Sequence, residues 1–270
     1  MGALRPWEEP MEPFRIIGNL YFAGTVPASV HAVDTGDGLI VFDVGYQSQL
    51  HLVVDSLYRL GLDPRNIKYV LITHGHIDHL GGAAALRKMT GAKIAIGKPD
   101  AKYADGTLDL SFAKELGLEY NESFTPDILL NDGDVIALGN TRVRAVATPG
   151  HTRGAMTYVF NVTDGEDVYT AALHGGQGMN TLSAEYLLKN SLPLSLRDDF
   201  LKAMDRLEKE KVDVFLGNHV QHNRTLEKFE KLKNGDRLAF VDPDEWAQNA
   251  RKAKLSLFKL IEKEKRTSEG

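Results

Sequence analysis

The chain has 270 residues, a net charge of −5, 43% hydrophobic residues and 26% charged residues. That composition fits a globular chain of one large domain or two small ones, and its acidic balance leaves no electrostatic footprint for nucleic acid. Cysteine is absent, which excludes disulfides, thiolate nucleophiles and zinc–cysteine sites, so any metal must be held by His, Asp or Glu.

The N-terminal stretch MGALRPWEEPMEP has no apolar core segment and does not read as a signal peptide. No apolar run approaches the ~18 residues of a membrane span. The chain as given is therefore expected to be cytoplasmic, or secreted or periplasmic if a longer precursor is trimmed before residue 1. From Phe14 to Gly45, short alternating runs separated by Gly and Asp-Gly predict a meander of antiparallel strands. QLHLVVDSLYRLGLDP has apolar residues at helical spacing and ends at Gly61 with Pro64 beyond. IKYVLIT reads as a buried strand, GGAAALRKMTGA opens a helix, and KIAIG is a further strand. Residues 100–127 are irregular, polar and partly helical, as in a loop lying over a site. DVIALGNTRVRAVATPGH predicts a hairpin, and AMTYVFNV and DVYTAAL are strands. Ser195 is expected to open a helix with Asp198 at the capping-box position. VDVFLGNH reads as a strand, and Asp242, Pro243 and Glu245 start a last helix over about residues 243–264. The closing EKEKR mixes signs, as a solvated helix end does. This order predicts two sheets packed together with helices outside, and no repeat or linker divides it.

The residues that carry chemistry lie behind three of these strands. LITHGHIDHLGG holds His74, His76, Asp78 and His79, TPGH ends at His151, and GNH ends at His219. Imidazole and carboxylate suit a borderline metal such as zinc. Alternate positions project the same way, so His74 and His76 can grip one ion while Asp78 and His79, past a tight turn, point to a second. The Gly-Gly that follows lets the backbone pass closely, and the next helix aims its N-terminus at the site.

THGHIDHLGG resembles the signature of the metallo-β-lactamase fold superfamily, and TPGHTRGA resembles its Pro-Gly-His-Thr motif. PFRIIGNLYFAG and GDGLIVFDVG resemble the family's opening strands, with Asp43 at its Asp-x-Gly. The similarity runs from Phe14 to the final helix. It implies an α/β protein with a four-layer αββα sandwich, one hydrolase domain over residues 1–270, and metals at one edge of the β core. DVYTAALHGGQG has no Cys and no acid after Asp167, where other branches place a bridging ligand; this is most like the third (B3-type) metallo-β-lactamase subclass. The resemblance then implies two zinc ions, other divalent metals being admissible. One is held by His74, His76 and His151 and the other by Asp78, His79 and His219.

In that scheme a water shared by the ions is acidified to a pKa near 7 and attacks a polarised amide-type carbonyl. Asp78 orients the nucleophile, and Asp78 and His79 are the catalytic pair. Two departures stand out. GNH replaces the family's usual PH or GH, and ALHGG stands where third-subclass enzymes place carboxylate-binding serines, so β-lactam turnover is expected to be weak. His174 either replaces those serines, reaches a metal or is packed, and His222 belongs to the surface or the cavity rim. His31 and His51 read as structural, Asp43 as either a support for a ligating imidazole or a turn residue, and Tyr103 and Tyr120 as loop or pocket residues. The partner is a small-molecule substrate, with no nucleic acid and no membrane; the oligomeric state is not encoded. Alternatives are a lactone or thioester hydrolase on the same metals, or a metal-free relative without catalysis.

Overall fold

The computed structural model describes residues 5–118 and 122–268. The predicted meander forms β1 (Phe14–Ile17), β2 (Leu20–Phe22), β3 (His31–Asp34) and β4 (Leu39–Phe42), all antiparallel. Helix α1 (Leu50–Arg59) then crosses back to β5 (Ile67–Ile72), which pairs parallel to β4. Two short turns of helix follow: α2 (Ile77–Leu80) and α3 (Ala83–Thr90), the latter closed by Gly91 in the left-handed region. β6 (Lys93–Gly97), α4 (Ala101–Ala104) and β7 (Ile128–Leu130) complete a seven-stranded sheet in sequential order β1 to β7.

The second sheet holds β8 (Val135–Leu138), β9 (Thr141–Ala147), β10 (Met156–Asp164) and β11 (Asp167–Leu173), followed by α5 (Ala184–Lys189), α6 (Leu196–Leu207) and β12 (Val214–Leu216). Its order is β12-β11-β10-β9-β8. β11 and β12 run parallel, because α6 carries the chain back across the sheet. Helices α7 (Thr225–Lys233) and α8 (Glu245–Ser268) end the chain.

Strand alternation sorts the core into three slabs. On β4, Leu39 and Val41 face the α1 and α3 side, whereas Ile40 and Phe42 face the second sheet. On β12, Val214 and Leu216 face the first sheet, and Phe215 faces α6 and α8. Period-two alternation through both sheets therefore yields helix, sheet, sheet, helix, which is the predicted αββα sandwich. Helical spacing supplies the outer layers. Leu50, Val53 and Leu57 of α1 seal one face; Phe200, Met204 and Leu207 of α6 with Trp246, Ala253 and Leu257 of α8 seal the other.

Two details differ from expectation. The sequence reading left β7, α5 and α7 unassigned. Ser195 does not cap α6: it is itself helical and makes no side-chain cap bond, because the turn already begins upstream, where Leu196 N donates to Pro193 O. Among the described residues, no helix is long and apolar enough to cross a membrane.

Candidate metal centre

The floor of the site is where β5, β9 and β12 stop. β5 ends at Ile72, two residues before His74; β9 ends at Ala147, four before His151; β12 ends at Leu216, three before His219. The two sheets are tied together at this edge. Met156 N donates to Thr73 O at 2.8 Å, and the buried Tyr158 hydroxyl donates to Ile72 O at 2.7 Å. Asp78 and His79 lie in the first turn of α2 rather than past a free turn, and His76 stands just before it in extended backbone.

Two trios of donor atoms result. His74, His76 and His151 form one, Asp78, His79 and His219 the other, and within each trio the donor atoms lie within 4.8 Å of one another. His74 Nε2 is 3.1 Å from His76 Nδ1. Asp78 Oδ2 is 3.2 Å from His79 Nε2 and 3.3 Å from His219 Nε2. The trios adjoin, since the His74 and His79 rings are 4.1 Å apart.

The opposite nitrogens of four imidazoles are engaged by the protein. His79 Nδ1 donates to Asp43 Oδ2 at 2.8 Å, His219 Nδ1 to Pro27 O at 3.1 Å and His151 Nδ1 to Gly178 O at 2.9 Å. His74 Nδ1 donates to Thr73 Oγ1 at 3.0 Å, and that hydroxyl donates onward to Asp43 Oδ2 at 2.8 Å. Each of these bonds leaves the Nε2 lone pair turned inward. Asp43, fully buried, also accepts from Thr73 N at 2.7 Å and holds φ at 56°. It thus supports one imidazole of each trio.

Asp100, which the sequence reading missed, ties the two His-bearing loops of the first trio together. Its carboxylate accepts from Gly75 N (2.8 Å), Thr152 Oγ1 (2.6 Å) and Gly154 N (2.7 Å). Burial pushes its carboxyl up to about 6 against the pull of those donors. The available signal was an acid following a buried strand, the same pattern as Asp43. Glycine is required at position 75, where a Cβ would meet the Tyr103 ring at 2.4 Å, and at Gly176, where φ is 124° and a Cβ would meet His151 at 2.5 Å.

The electrostatics are those of a cation site. Burial works against a charge on His79, yet the Asp78 and Asp43 carboxylates on either side outweigh it and push the imidazole up to about 10. Burial alone would raise Asp78, but His79 and His219 hold its carboxyl well below the usual range. His74 and His76 are driven well down by burial and by crowding from the neighbouring imidazoles, and burial brings His151 down to about 4.

A cavity of about 390 Å³ opens above both trios. Tyr46, Phe112 and Leu116 give it an apolar side, and Gln177, Asn180, Asn218 and Gln221 a carboxamide side. His222 also lines it; its Nδ1 is 2.7 Å from Asn218 Oδ1 and its ring 5.1 Å from that of His219. His174 is not in this wall, which corrects its expected contact with substrate. Leu173 before it points between the sheets, so alternation sends His174 toward the helical layer, where it is 1% exposed and 6.1 Å from the Trp246 ring. Its Nδ1 accepts from Gly176 N, and burial brings it down to about 3. Tyr103 packs beneath the His74–His76 loop, Tyr120 lies outside the described residues, His31 is buried in β3 and His51 is exposed on α1.

A family model for the metallo-beta-lactamase superfamily matches residues 23–165, more than half of the chain. The chain belongs to that superfamily. Over 93 residues it is 41% identical to a probable metallo-hydrolase of Burkholderia pseudomallei, and over 106 residues 32% identical to a probable polyketide biosynthesis zinc-dependent hydrolase of Bacillus subtilis. Those matches cover 34% and 38% of this chain, and the chain spans only 31% and 40% of the relatives' lengths. Solved structures match throughout. The subclass B3 metallo-beta-lactamase BJP-1 of Bradyrhizobium japonicum superposes with a TM-score of 0.87 at 27% identity, covering 98% of this chain and 99% of that one. Native FEZ-1 metallo-beta-lactamase from Legionella gormanii gives 0.87 at 28%, covering 95% and 98%. The superfamily fold and the B3-like resemblance expected from THGHIDHLGG are thus met.

Proposed function

We propose that this protein is a metal-dependent hydrolase of a small molecule, opening an amide-type carbonyl in the manner of a β-lactamase, with His74, His76 and His151 holding one ion and Asp78, His79 and His219 a second. One observation carries this reading. Four imidazoles are locked from behind by protein acceptors, so their Nε2 atoms turn inward and converge with the Asp78 carboxylate. A cation among these groups would take the inward nitrogens and the carboxylate as ligands together. Five imidazoles and one carboxylate, with no thiolate, suit zinc. The printed description of the Bacillus subtilis relative as zinc-dependent agrees.

The chemistry that such ions supply when bound is polarisation of a carbonyl and acidification of water. The chain's own residues do the rest. Asp78 contacts His79 and His219 through Oδ2, which leaves its other oxygen to accept a proton from water and orient it. Asp43 fixes the His79 ring directly and the His74 ring through Thr73. Phe112 and Leu116 screen the floor from bulk water, and His222 together with the carboxamide wall contacts the substrate. An ester or thioester reading rests on relatives described as hydroxyacylglutathione hydrolases.

His76→Ala tests the assignment. Zinc content measured by mass spectrometry should fall from two ions per chain, and turnover of a nitrocefin, lactone and thioester panel should vanish. Retained turnover would refute the ligand set.

A further inference from the structure

The loop that leaves β5 is flanked by a buried aspartate on each side. β4 and β6 are the parallel neighbours of β5. Asp43 follows the end of β4, Asp100 lies three residues past the end of β6, and both are fully buried. Each accepts a backbone N–H from the loop after β5, Asp43 from Thr73 and Asp100 from Gly75. Each also accepts a threonine hydroxyl, from Thr73 and Thr152 respectively. Their reach differs. Asp43 serves His79 directly and His74 through Thr73, so it touches both trios. The three donors to Asp100, which are Gly75 N, Thr152 Oγ1 and Gly154 N, all lie on the loops that carry His74, His76 and His151.

Each trio draws ligands from both sheets, so each needs a tie across them. The second has its own: His219 Nδ1 donates to Pro27 O at 3.1 Å and Ser29 N to Asn218 O at 3.3 Å, and neither bond involves Asp100. For the first trio the tie is one oxygen, Asp100 Oδ2, which takes Gly75 N from one loop and Thr152 Oγ1 from the other. The trios also differ in charge. Asp78 belongs to the second, whereas the first is three imidazoles. A dication among neutral imidazoles has no negative charge in its own ligand set to offset it, and a buried carboxylate bonded to the same loops supplies one.

We propose that Asp100 is a positioning residue for the first trio alone: its carboxylate fixes the His74–His76 loop against the His151 loop, so that a chain deprived of it keeps the second ion and loses the first. This rests on the two-ion reading above and adds that the two sites can be separated from outside the ligand set.

The test counts ions rather than turnover. Asp100→Asn keeps the shape and one acceptor oxygen, but places an NH2 group where a backbone or hydroxyl donor needs an acceptor. The full chain, stripped of metal by a chelator, is titrated with buffered zinc at about pH 8 and its bound ions are counted by native mass spectrometry. At that pH the Asp100 carboxyl, raised by burial to about 6, is ionised. The parent should take two ions. In Asp100→Asn one binding step should weaken by about 10–100-fold, the loss typical of a supporting partner, while the other keeps the parent's value. A second substitution assigns that step. At zinc levels that leave Asp100→Asn with one ion, adding His151→Ala should leave that ion in place, and adding His219→Ala should remove it. Thr152→Val, which deletes one donor to Asp100, should weaken the same step by a smaller factor and carries the test should Asp100→Asn not fold. Thr152→Ser, which keeps the hydroxyl, should behave as the parent. Equal weakening of both steps, no weakening of either, or loss of the remaining ion on adding His151→Ala overturns the inference and leaves the two-ion reading standing. A parent that takes up no zinc overturns that reading and the inference with it.

Discussion

Asp43 and Phe112 are both non-glycine residues in left-handed backbone, with φ of 56° and 65°, and both stand at the site, yet they are held there by different forces. Asp43 is fully buried and its carboxylate accepts from Thr73 N, Thr73 Oγ1 and His79 Nδ1. Phe112 has no such network; its ring stands edge-on to His76 with centroids 4.8 Å apart and stacks on Tyr186 at 5.8 Å. The floor is fixed by directional bonds to buried groups, whereas the wall over it is fixed by contact alone. Backbone strain concentrates at functional sites when its surroundings over-determine it. Only the floor is over-determined here, so the reaction is specified tightly and the substrate loosely.

The largest effect expected from that contrast is at Asp43. Asp43→Ala strips the acceptor from His79 and from Thr73, and so from His74 behind it. Loss of such a supporting partner lowers metal affinity about 10–100-fold. Competition with a zinc chelator should show that loss in both trios. A drop confined to one trio, or none, would mean that the imidazoles are oriented by packing as Phe112 is, and the contrast between floor and wall would fail.

A second effect, on stability rather than on metal affinity, separates burial from metal chemistry. His31 is a buried imidazole with no acid beside it; burial alone brings it down to about 3, and its Nδ1 lacks a partner. The folded chain keeps it neutral, while an unfolded histidine gains a proton near pH 6.5. Unfolded chains therefore bind more protons below that pH, and stability falls as pH drops from 6.5 toward 3. Between pH 6.5 and 4.5 the loss from this group is roughly 2–3 kcal/mol. Asp100 opposes it: its carboxyl, raised to about 6, takes up a proton in the folded state first and adds stability as pH falls from 6 toward 4. Urea unfolding of His31→Met should show a shallower decline on acidification than the parent. An unchanged slope would assign the acid sensitivity to the metal-site imidazoles instead.

The sequence made the floor legible because its residues announce themselves by type and spacing. His74, His76, Asp78 and His79 fall within six positions, and three histidines follow apolar strands that stop at one edge of the two-sheet sandwich. The layers were legible for a similar reason, since alternation and helical spacing are local. What stayed hidden depends on contacts between distant segments. Asp100 reads as an ordinary turn acid until Gly75, Thr152 and Gly154 are seen around it. The fate of His174 was decided by the parity of β11, and one residue of register separates the cavity from the Trp246 layer. β7 escaped because ILLND is short and half-exposed. The wall was least legible of all: Phe112 and Gln177 come from separate loops and carry no motif, and Asn218 stood in GNH without a role of its own.

Phe112 offers the finest test of how the wall is held. Both Phe112→Ala and Phe112→Gly delete the ring and its contacts with His76 and Tyr186, so both should lower the melting temperature, and their difference isolates the backbone. At an unstrained position Ala exceeds Gly by about 0.4–1 kcal/mol, because Gly leaves the unfolded chain more freedom to lose. At a φ of 65° a side chain adds roughly 1–2 kcal/mol of steric strain that Gly avoids. If the left-handed conformation outlives the ring, Gly should therefore match or exceed Ala by up to about 1.6 kcal/mol, the reverse of the usual order. If Ala proves the more stable of the two, the segment has relaxed once the ring is gone. Contact then imposes the backbone at the wall, and the segment is free to re-form around a different substrate in a way that Asp43, bonded on every side, does not allow.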